Sequence, residues 1–171
     1  MNIGKIFEQQ WHKNANKVEN LLFGRFKDSP ASYGSNNNSV RFTAENICDF
    51  YMYKYPVIFL LELKNTKGSS LPFSNIRENQ LQQLNRVGGL KGVVAGVVIN
   101  FSSKEKCYFL DIKDVMSFIE SSDRKSIPLS YCEEKGFSVP MKKLRTRYDY
   151  DVDLFVKFKL SEWEKGNETD E

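Results

Sequence analysis

The sequence predicts an α/β fold, with one mixed central β-sheet flanked by helices in a single domain. The order of predicted elements, α-β-β-α-β-β-α, alternates helices with pairs of strands, as expected for a sheet covered by helices. A length of 171 residues corresponds to about one domain and allows about two-thirds of the unfolded chain's surface to be buried. The composition, 40% hydrophobic and 27% charged, argues against a largely disordered chain.

The first part of the chain predicts a helix, a loop and two strands. Apolar residues at steps of three or four indicate a helix that continues to Leu22 and stops at Gly24. Residues 28–39 are polar and turn-forming, so we expect a flexible Asn-rich loop. Residues 47–53 and 57–64 predict a β-hairpin or two adjacent strands. The stripe of the helix consists of Ile3, Phe7, Trp11, Ala15, Val18 and Leu22.

The middle of the chain predicts a second helix followed by two strands. Asn75 and Glu78 have the spacing of a capping box, which predicts a helix beginning at Asn75 and ending near Gly88. Residues 93–101 are apolar throughout, as expected for a central strand, and residues 107–112 predict a neighbouring one.

The last part of the chain gives weaker patterns. Residues 111–120 predict a short helix, residues 135–141 a strand, and residues 152–160 fit a strand or a helix equally. We therefore expect a folded domain over residues 1–164 and a disordered acidic tail over residues 165–171.

Composition excludes several classes of protein. No apolar run approaches the ~20 residues that span a bilayer, and the N-terminus has no signal pattern, so we expect a cytoplasmic protein without a membrane partner. The three cysteines form no Cys-x-x-Cys pair, which together with a single histidine argues against a structural zinc site. Catalysis by a Ser-His-Asp or Cys-His pair would depend on His12 alone.

Charge is distributed unevenly along the chain. Residues 1–148 carry 22 Lys and Arg against 14 Asp and Glu (22 − 14 = +8), whereas residues 149–171 carry 3 against 8 (3 − 8 = −5). A basic surface suits a polyanion such as nucleic acid, but scattered lysines also simply solvate a surface. Charge alone does not decide between these interpretations.

The strongest chemical signal is a pair of carboxylates beside a lysine. Alternation in a strand puts Glu62 and Lys64 on one face, and the preceding strand brings Asp49 close to them. Two neighbouring carboxylates repel each other unless a cation lies between them, and Mg²⁺ is satisfied by one or two carboxylates. Lys64 would then orient an attacking water or balance phosphate charge, which suits phosphodiester hydrolysis. The alternative is an ordinary ion pair at the end of a strand.

Two helical residues are further candidates. Glu8 lies one turn after Gly4, from where a carboxylate could approach the sheet. Gln80 interrupts the apolar stripe of the second helix, where it could orient a water or Lys64. An exposed glutamate and a buried structural amide are the respective alternatives.

Four short segments resemble the RecU family of Holliday junction resolvases, most closely its shorter bacteriophage members. They are Gly4-Lys-Ile-Phe-Glu8, Cys-Asp49-Phe, Leu-Glu62-Leu-Lys64 and Leu-Pro72-Phe-Ser-Asn-Ile-Arg-Glu-Asn-Gln80. The resemblance covers roughly residues 1–112 and implies the restriction-endonuclease-like fold of the PD-(D/E)XK nuclease superfamily. It also implies a homodimer, which would place two identical sites across a two-fold symmetric junction.

The resemblance implies a role for each candidate residue. Asp49, Glu62 and the backbone carbonyl of Leu63 would bind Mg²⁺, for which Mn²⁺ can substitute, and Lys64 would be the catalytic lysine. Glu8 and Gln80 match further family positions in the active site. Two departures stand out: Cys48 occupies the superfamily's proline position, and residues 28–46 are short where the family inserts a long stalk.

Basic residues outside the site are candidates for DNA contacts. As phosphate contacts they would position DNA without reading its sequence, and the alternative for each is a solvated surface charge. They are Arg25, Lys67, Arg77, Lys142, Lys143, Arg145 and Arg147.

We therefore expect a Mg²⁺-dependent, structure-selective endodeoxyribonuclease that resolves four-way junctions by paired symmetric cuts in recombination and repair. The alternatives are a PD-(D/E)XK nuclease acting on other branched or duplex DNA, and a non-catalytic DNA-binding recombination accessory protein.

Overall fold

The computed structural model of the chain describes residues 3–26 and 46–168, and a six-stranded mixed sheet forms its centre. The strand order is β1-β2-β3-β5-β6-β8, in which β3 and β5 are parallel and every other neighbouring pair is antiparallel. These strands span Leu22–Arg25 (β1), Phe50–Lys54 (β2), Val57–Thr66 (β3), Val93–Phe101 (β5), Lys106–Asp111 (β6) and Phe137–Ser138 (β8).

Two small antiparallel pairs and five helices complete the described part of the chain. The pairs are β4 (Ser70–Pro72) with β7 (Ser126–Pro128), and β9 (Met141–Lys143) with β10 (Tyr148–Tyr150). The helices are α1 (Ile3–Ala15), α2 (Glu78–Val87), α3 (Ile112–Ser121), α4 (Leu129–Lys135) and α5 (Val152–Glu168). None of the described helices is long and apolar enough to cross a membrane. The predicted α/β class with a mixed sheet flanked by helices is confirmed.

Each face of the sheet has its own hydrophobic core. Alternate β3 residues Phe59 and Leu61 pack on one face with α1 and α5, whose Trp11 and Phe155 are fully buried. The other face packs against α2 and α3. Burial on both faces is what a central strand requires, and it explains the nearly continuous apolar runs of β3 and β5.

The first helix is shorter than predicted. Helix α1 ends at Ala15, and the chain then turns through Asn20, whose φ of 51° is left-handed. Leu22 and Gly24 belong to β1 and pair with Tyr53 and Tyr51 of β2. The prediction was wrong here because Val18 is buried at helical spacing although its backbone is no longer helical, whereas Leu22, the last residue of the predicted stripe, is exposed.

The second helix begins later than predicted. Residues Phe73–Asn75 form a 3₁₀ turn, closed by a hydrogen bond from the Ile76 amide to the Phe73 carbonyl. The next two residues are extended, and α2 begins at Glu78 with Arg77 as its N-cap. Asn75 therefore does not cap this helix.

The C-terminal segment resolves into a helix. Residues 152–160, which fitted a strand or a helix, lie in α5, and this helix includes residues 165–168 of the segment expected to be a disordered tail. The strand expected over residues 135–141 is replaced by β8 and β9. The Asn-rich loop expected over residues 28–39 lies outside the described residues.

Candidate active site

The β2–β3 hairpin brings the predicted carboxylates together. Phe50 pairs with Leu61 in the antiparallel register, so Asp49, one residue before β2, lies opposite Glu62. The Leu63 amide donates a hydrogen bond to Asp49 Oδ2 at 3.2 Å. The hairpin therefore holds the Asp49 carboxylate against β3 at the position of Glu62.

Glu62 is a buried carboxylate with incomplete partners. Its side chain is fully buried, and neither oxygen accepts a well-oriented hydrogen bond from a described residue. Lys64 Nζ, on the same face of β3, lies 2.6 Å from Glu62 Oε1. Burial and the charge of Asp49 raise the pKa of Glu62 to about 7, although Lys64 opposes this rise.

This arrangement fits a hard divalent cation. Two carboxylates meet at one end of a hairpin, and the fully buried Glu62 carboxylate has an ion pair with Lys64 but no well-oriented hydrogen bond among the described residues. No group of three or more His, Cys, Asp or Glu side chains suitable for a metal occurs among the described residues. Mg²⁺ suits such a sparse set because it is commonly held by one or two carboxylates and keeps several waters.

Glu8 lies at the same end of the sheet, where it forms an ion pair with Arg25. Arg25 pairs with Phe50 in the β1–β2 register, and the next amide along the chain, that of Phe26, donates to the Asp49 carbonyl at 3.1 Å. Arg25, predicted as a DNA contact, therefore contacts a candidate active-site carboxylate.

Gln80 is buried on the inner side of α2, on the sheet face that carries Glu62. It is 8% exposed, and its Oε1 finds no donor among the described residues. The sequence analysis suggested that Gln80 orients Lys64, but no hydrogen bond joins these two side chains in the described residues. An unpaired buried amide oxygen is nevertheless unusual, because it loses hydration without compensation.

Cys48, the residue before Asp49, does not provide a reactive thiol. The side chain is fully buried and donates a hydrogen bond to the Phe50 carbonyl at 3.3 Å. Burial and the charge of Glu62 raise its pKa to about 12, so it stays protonated at neutral pH.

The basic candidates fall into two groups. Lys67, after β3, and Arg77, at the start of α2, are exposed and separate from the others in sequence. The second group lies on β9 and on the loop joining it to β10, where every member is exposed: Lys142, Lys143, Arg145 and Arg147. Lys143 forms an ion pair with Glu105.

Sequence reasoning missed a pair of asparagines beside this site. Asn65 directly follows Lys64, and its Oδ1 accepts a 2.7 Å hydrogen bond from Asn100 Nδ2 on the parallel strand β5. The signal was a polar residue, Asn100, at the end of an otherwise apolar strand. Only the parallel pairing of β3 with β5 brings the two amides together.

Comparison with known proteins connects this site to a family. The sequence model of RecU, described as recombination protein U, matches residues 28–152, nearly three-quarters of the chain. A SPbeta prophage-derived uncharacterized protein of Bacillus subtilis, YotM, is 28% identical over 164 residues, which is 87% of this chain and 82% of that protein.

Two further matches are proteins named as Holliday junction resolvases. RecU of Pediococcus pentosaceus is 34% identical over 82 residues, 44% of this chain, and RecU of Streptococcus pneumoniae strain P1031 is 32% identical over 80 residues, 46% of this chain. The matches cover only 39% and 40% of the lengths of these two relatives.

A solved structure shares the fold. The Hjc resolvase of Archaeoglobus fulgidus superposes with a TM-score of 0.54 at 16% identity, over 79% of this chain and 95% of that one. The likeness confirms the predicted restriction-endonuclease-like fold. With the family match over most of its length, the chain belongs to the RecU family.

Proposed function

We propose that this chain is a Mg²⁺-dependent endodeoxyribonuclease that resolves four-way DNA junctions by paired symmetric cuts. The observation that carries the proposal is the buried carboxylate of Glu62, opposite Asp49 and beside Lys64, in a member of the RecU family. The relatives named as resolvases match less than half of their own lengths, so their activity supports the proposal by analogy.

The metal would be held by Asp49, Glu62 and the backbone carbonyl of Leu63, and Mn²⁺ would substitute for Mg²⁺. When bound, the ion supplies Lewis-acid stabilisation of the negative charge that develops on the phosphate. Asp49 is already oriented by the Leu63 amide, so little reorganisation is required for it to serve as a ligand.

Lys64 is proposed as the catalytic lysine. Its side chain is about one-fifth exposed, and Glu62 holds it at the edge of the site. From this position it can donate hydrogen bonds to an attacking water or to a phosphate oxygen. Glu8 and Gln80 are proposed to complete the site from the two sides of the sheet, Glu8 from α1 and Gln80 from α2.

Two symmetric cuts require two sites, and we therefore propose a homodimer that binds branched DNA. The exposed basic residues of the β9–β10 segment, with Lys67 and Arg77, would contact phosphates. Arg25 would act at the active site through its ion pair with Glu8.

Cleavage of a synthetic immobile four-way junction, compared with a linear duplex and a Y-fork, tests the proposal. With Mg²⁺ we expect paired symmetric cuts on the junction only, and no cutting without a divalent ion. Equal cutting of all three would replace the proposal by a general branched-DNA or duplex nuclease. Junction binding without cutting in Mg²⁺ or Mn²⁺ would favour a non-catalytic accessory role.

A further inference from the structure

A cavity of about 260 Å³ lies beside the candidate active site, on the other face of the sheet. Asn65 lines it and directly follows Lys64, so the cavity and the site use successive residues of β3 that point to opposite faces. Its walls come from α1, from the ends of β3 and β5, and from the loop joining β9 to β10. The wall residues used below are Asn100, Arg145, Thr146, Arg147, Tyr148 and Tyr150.

Two buried polar groups in these walls have no partner. Asn100 is 3% exposed; its Nδ2 donates to Asn65 Oδ1, but its own Oδ1 finds no donor among the described residues. Tyr150 is 4% exposed, and its hydroxyl is likewise unpaired in the described part of the chain. Unpaired buried polar groups destabilise a fold, so two of them lining one cavity indicate a ligand with hydrogen-bonding edges.

The rim of the cavity is cationic. Arg145 and Arg147 are exposed in the β9–β10 loop, and neither forms an ion pair with any residue that the structure describes. The half-buried side chain of Tyr148 adds flat aromatic surface to the walls. A ligand with a flat polar ring and an attached phosphate would fit, because the ring suits the polar and aromatic walls and the phosphate suits the cationic rim.

We propose that this cavity binds one unpaired nucleotide of the branched DNA substrate, with its base against Asn100 and Tyr150 and its phosphate at Arg145 and Arg147. The volume is more than tenfold the ~10–15 Å³ that one water requires on the same measure, so the cavity has room for a ligand much larger than water. A stacked and paired base cannot present its edge inside a cavity, so the nucleotide must leave the helix.

This inference rests on the proposed junction-cleaving function and makes the branch point its specific target. Bases at a branch lose stacking partners, and extruding one there costs less than extruding one from a continuous duplex. Because the cavity and the candidate site lie at the same end of β3, the captured nucleotide would fix which phosphate reaches Asp49 and Glu62.

The test is a mutant cycle between protein and DNA. Wild-type protein and Tyr150→Phe are titrated in Ca²⁺ with four-way junctions in which each branch-flanking nucleotide in turn lacks its base. We expect Tyr150→Phe to weaken binding of the intact junction by about 3- to 10-fold, as for one net hydrogen bond. At one branch-flanking position and its symmetry-related copies, loss of the base should weaken binding by the wild-type protein. On that same DNA, Tyr150→Phe should weaken binding no further.

Three variants control the experiment. Tyr150→Phe removes an unpaired hydroxyl, so its thermal midpoint should be no lower than that of the wild type. Thr146→Trp narrows the mouth of the cavity by a change at an exposed loop position. It should weaken junction binding as Tyr150→Phe does, even if substitution of the buried Tyr150 disturbs the hydrophobic core. Tyr55→Phe lies in the exposed turn at the start of β3, about ten residues or ~30 Å from Asn65, and should bind as the wild type does.

The outcomes are distinguishable. If wild-type protein cuts the junction in Mg²⁺ but base removal and Tyr150→Phe act independently at every position, the nucleotide pocket is wrong and the proposed function stands. If wild-type protein neither binds nor cuts the junction, both fail. Tight binding of a free deoxynucleoside monophosphate without coupling at any DNA position would assign the cavity to a soluble nucleotide and overturn the proposal.

Discussion

Glu62 carries an ionisable group in a strand whose neighbours are apolar, and its environment keeps it partly protonated near neutral pH. Full burial disfavours the charged form, and Asp49 adds a second negative charge, so the pKa of Glu62 rises to about 7. A cation between the two carboxylates screens their mutual repulsion and offsets the cost of burying the Glu62 charge. The same features that destabilise the metal-free protein therefore favour metal binding.

The pH dependence of stability follows from this shift. The folded protein holds the Glu62 proton up to about pH 7, whereas the unfolded chain releases it near the usual value of 4.5. The free energy of unfolding should therefore decrease as pH rises from 4.5 to 7 and change little above that. Glu62→Gln should increase it by about 1–3 kcal/mol at pH 8 without divalent ions, because a neutral amide is never deprotonated.

Urea unfolding of the wild type and Glu62→Gln at pH 5 and pH 8 measures this effect. Glu164→Gln, at an exposed position of α5, controls for the exchange of a carboxylate and an amide and should change stability by much less. Equal stability of wild type and Glu62→Gln at pH 8 would contradict the account.

Divalent ions should stabilise the folded protein. At a Mg²⁺ concentration ten times the dissociation constant, binding to the folded state adds about 1.4 kcal/mol to the free energy of unfolding. Asp49→Asn and Glu62→Gln should lose this gain because each removes one carboxylate. Thermal melts at pH 8 with Mg²⁺ or EDTA check the prediction, and an unchanged gain in Asp49→Asn would remove this residue from the metal site.

The β9–β10 segment is the element that would place DNA. Replacing Arg145 and Arg147 together by Ala should weaken junction binding to a similar degree across DNA sequences. It should also reduce the slope of log affinity against log salt by about 2, since each phosphate contact contributes about 0.9.

Fluorescence anisotropy over a salt series in Ca²⁺ measures that slope. Arg86→Ala together with Lys91→Ala removes two exposed positive charges, one in the last turn of α2 and one just before β5, and is a matched control. A slope identical to that of the wild type in Arg145→Ala with Arg147→Ala would exclude the segment from the DNA interface.

Local pairing could be predicted from the sequence, and distant pairing could not. The β2–β3 hairpin followed from two alternating segments joined by a short turn, so the approach of Asp49 to Glu62 is predictable from these residues alone. Parallel pairing of β3 with β5 joins segments about 35 residues apart, and no short-range pattern encodes it. The Asn65–Asn100 pair and its cavity therefore emerged only from the structure.

The ends of the helices could not be predicted accurately from hydrophobic spacing. Val18 is buried, as the helical stripe required, yet it lies after the end of α1 in a turn. Hydrophobic spacing reports which residues face the core, and several backbone conformations satisfy the same spacing. Asn75 is likewise a residue type that often caps helices, yet its backbone lies in a local 3₁₀ turn and it does not cap α2.

The whole molecule should act as a two-fold dimer if it cuts junctions symmetrically. Light scattering coupled to size exclusion should then give a mass near twice the 19.9 kDa of the chain. A monomer mass both in isolation and on a junction, with single nicks as the product, would contradict paired resolution.

The most direct test of the central claim is the effect of Asp49→Asn on cleavage and binding of one immobile four-way junction. We predict that the variant loses cleavage in Mg²⁺ by at least about 100-fold, because one of the two carboxylates proposed to bind the metal is gone. Its junction affinity in Ca²⁺ or EDTA should match that of the wild type under the same conditions. Cleavage by Asp49→Asn at the wild-type rate would show that the active site lies elsewhere.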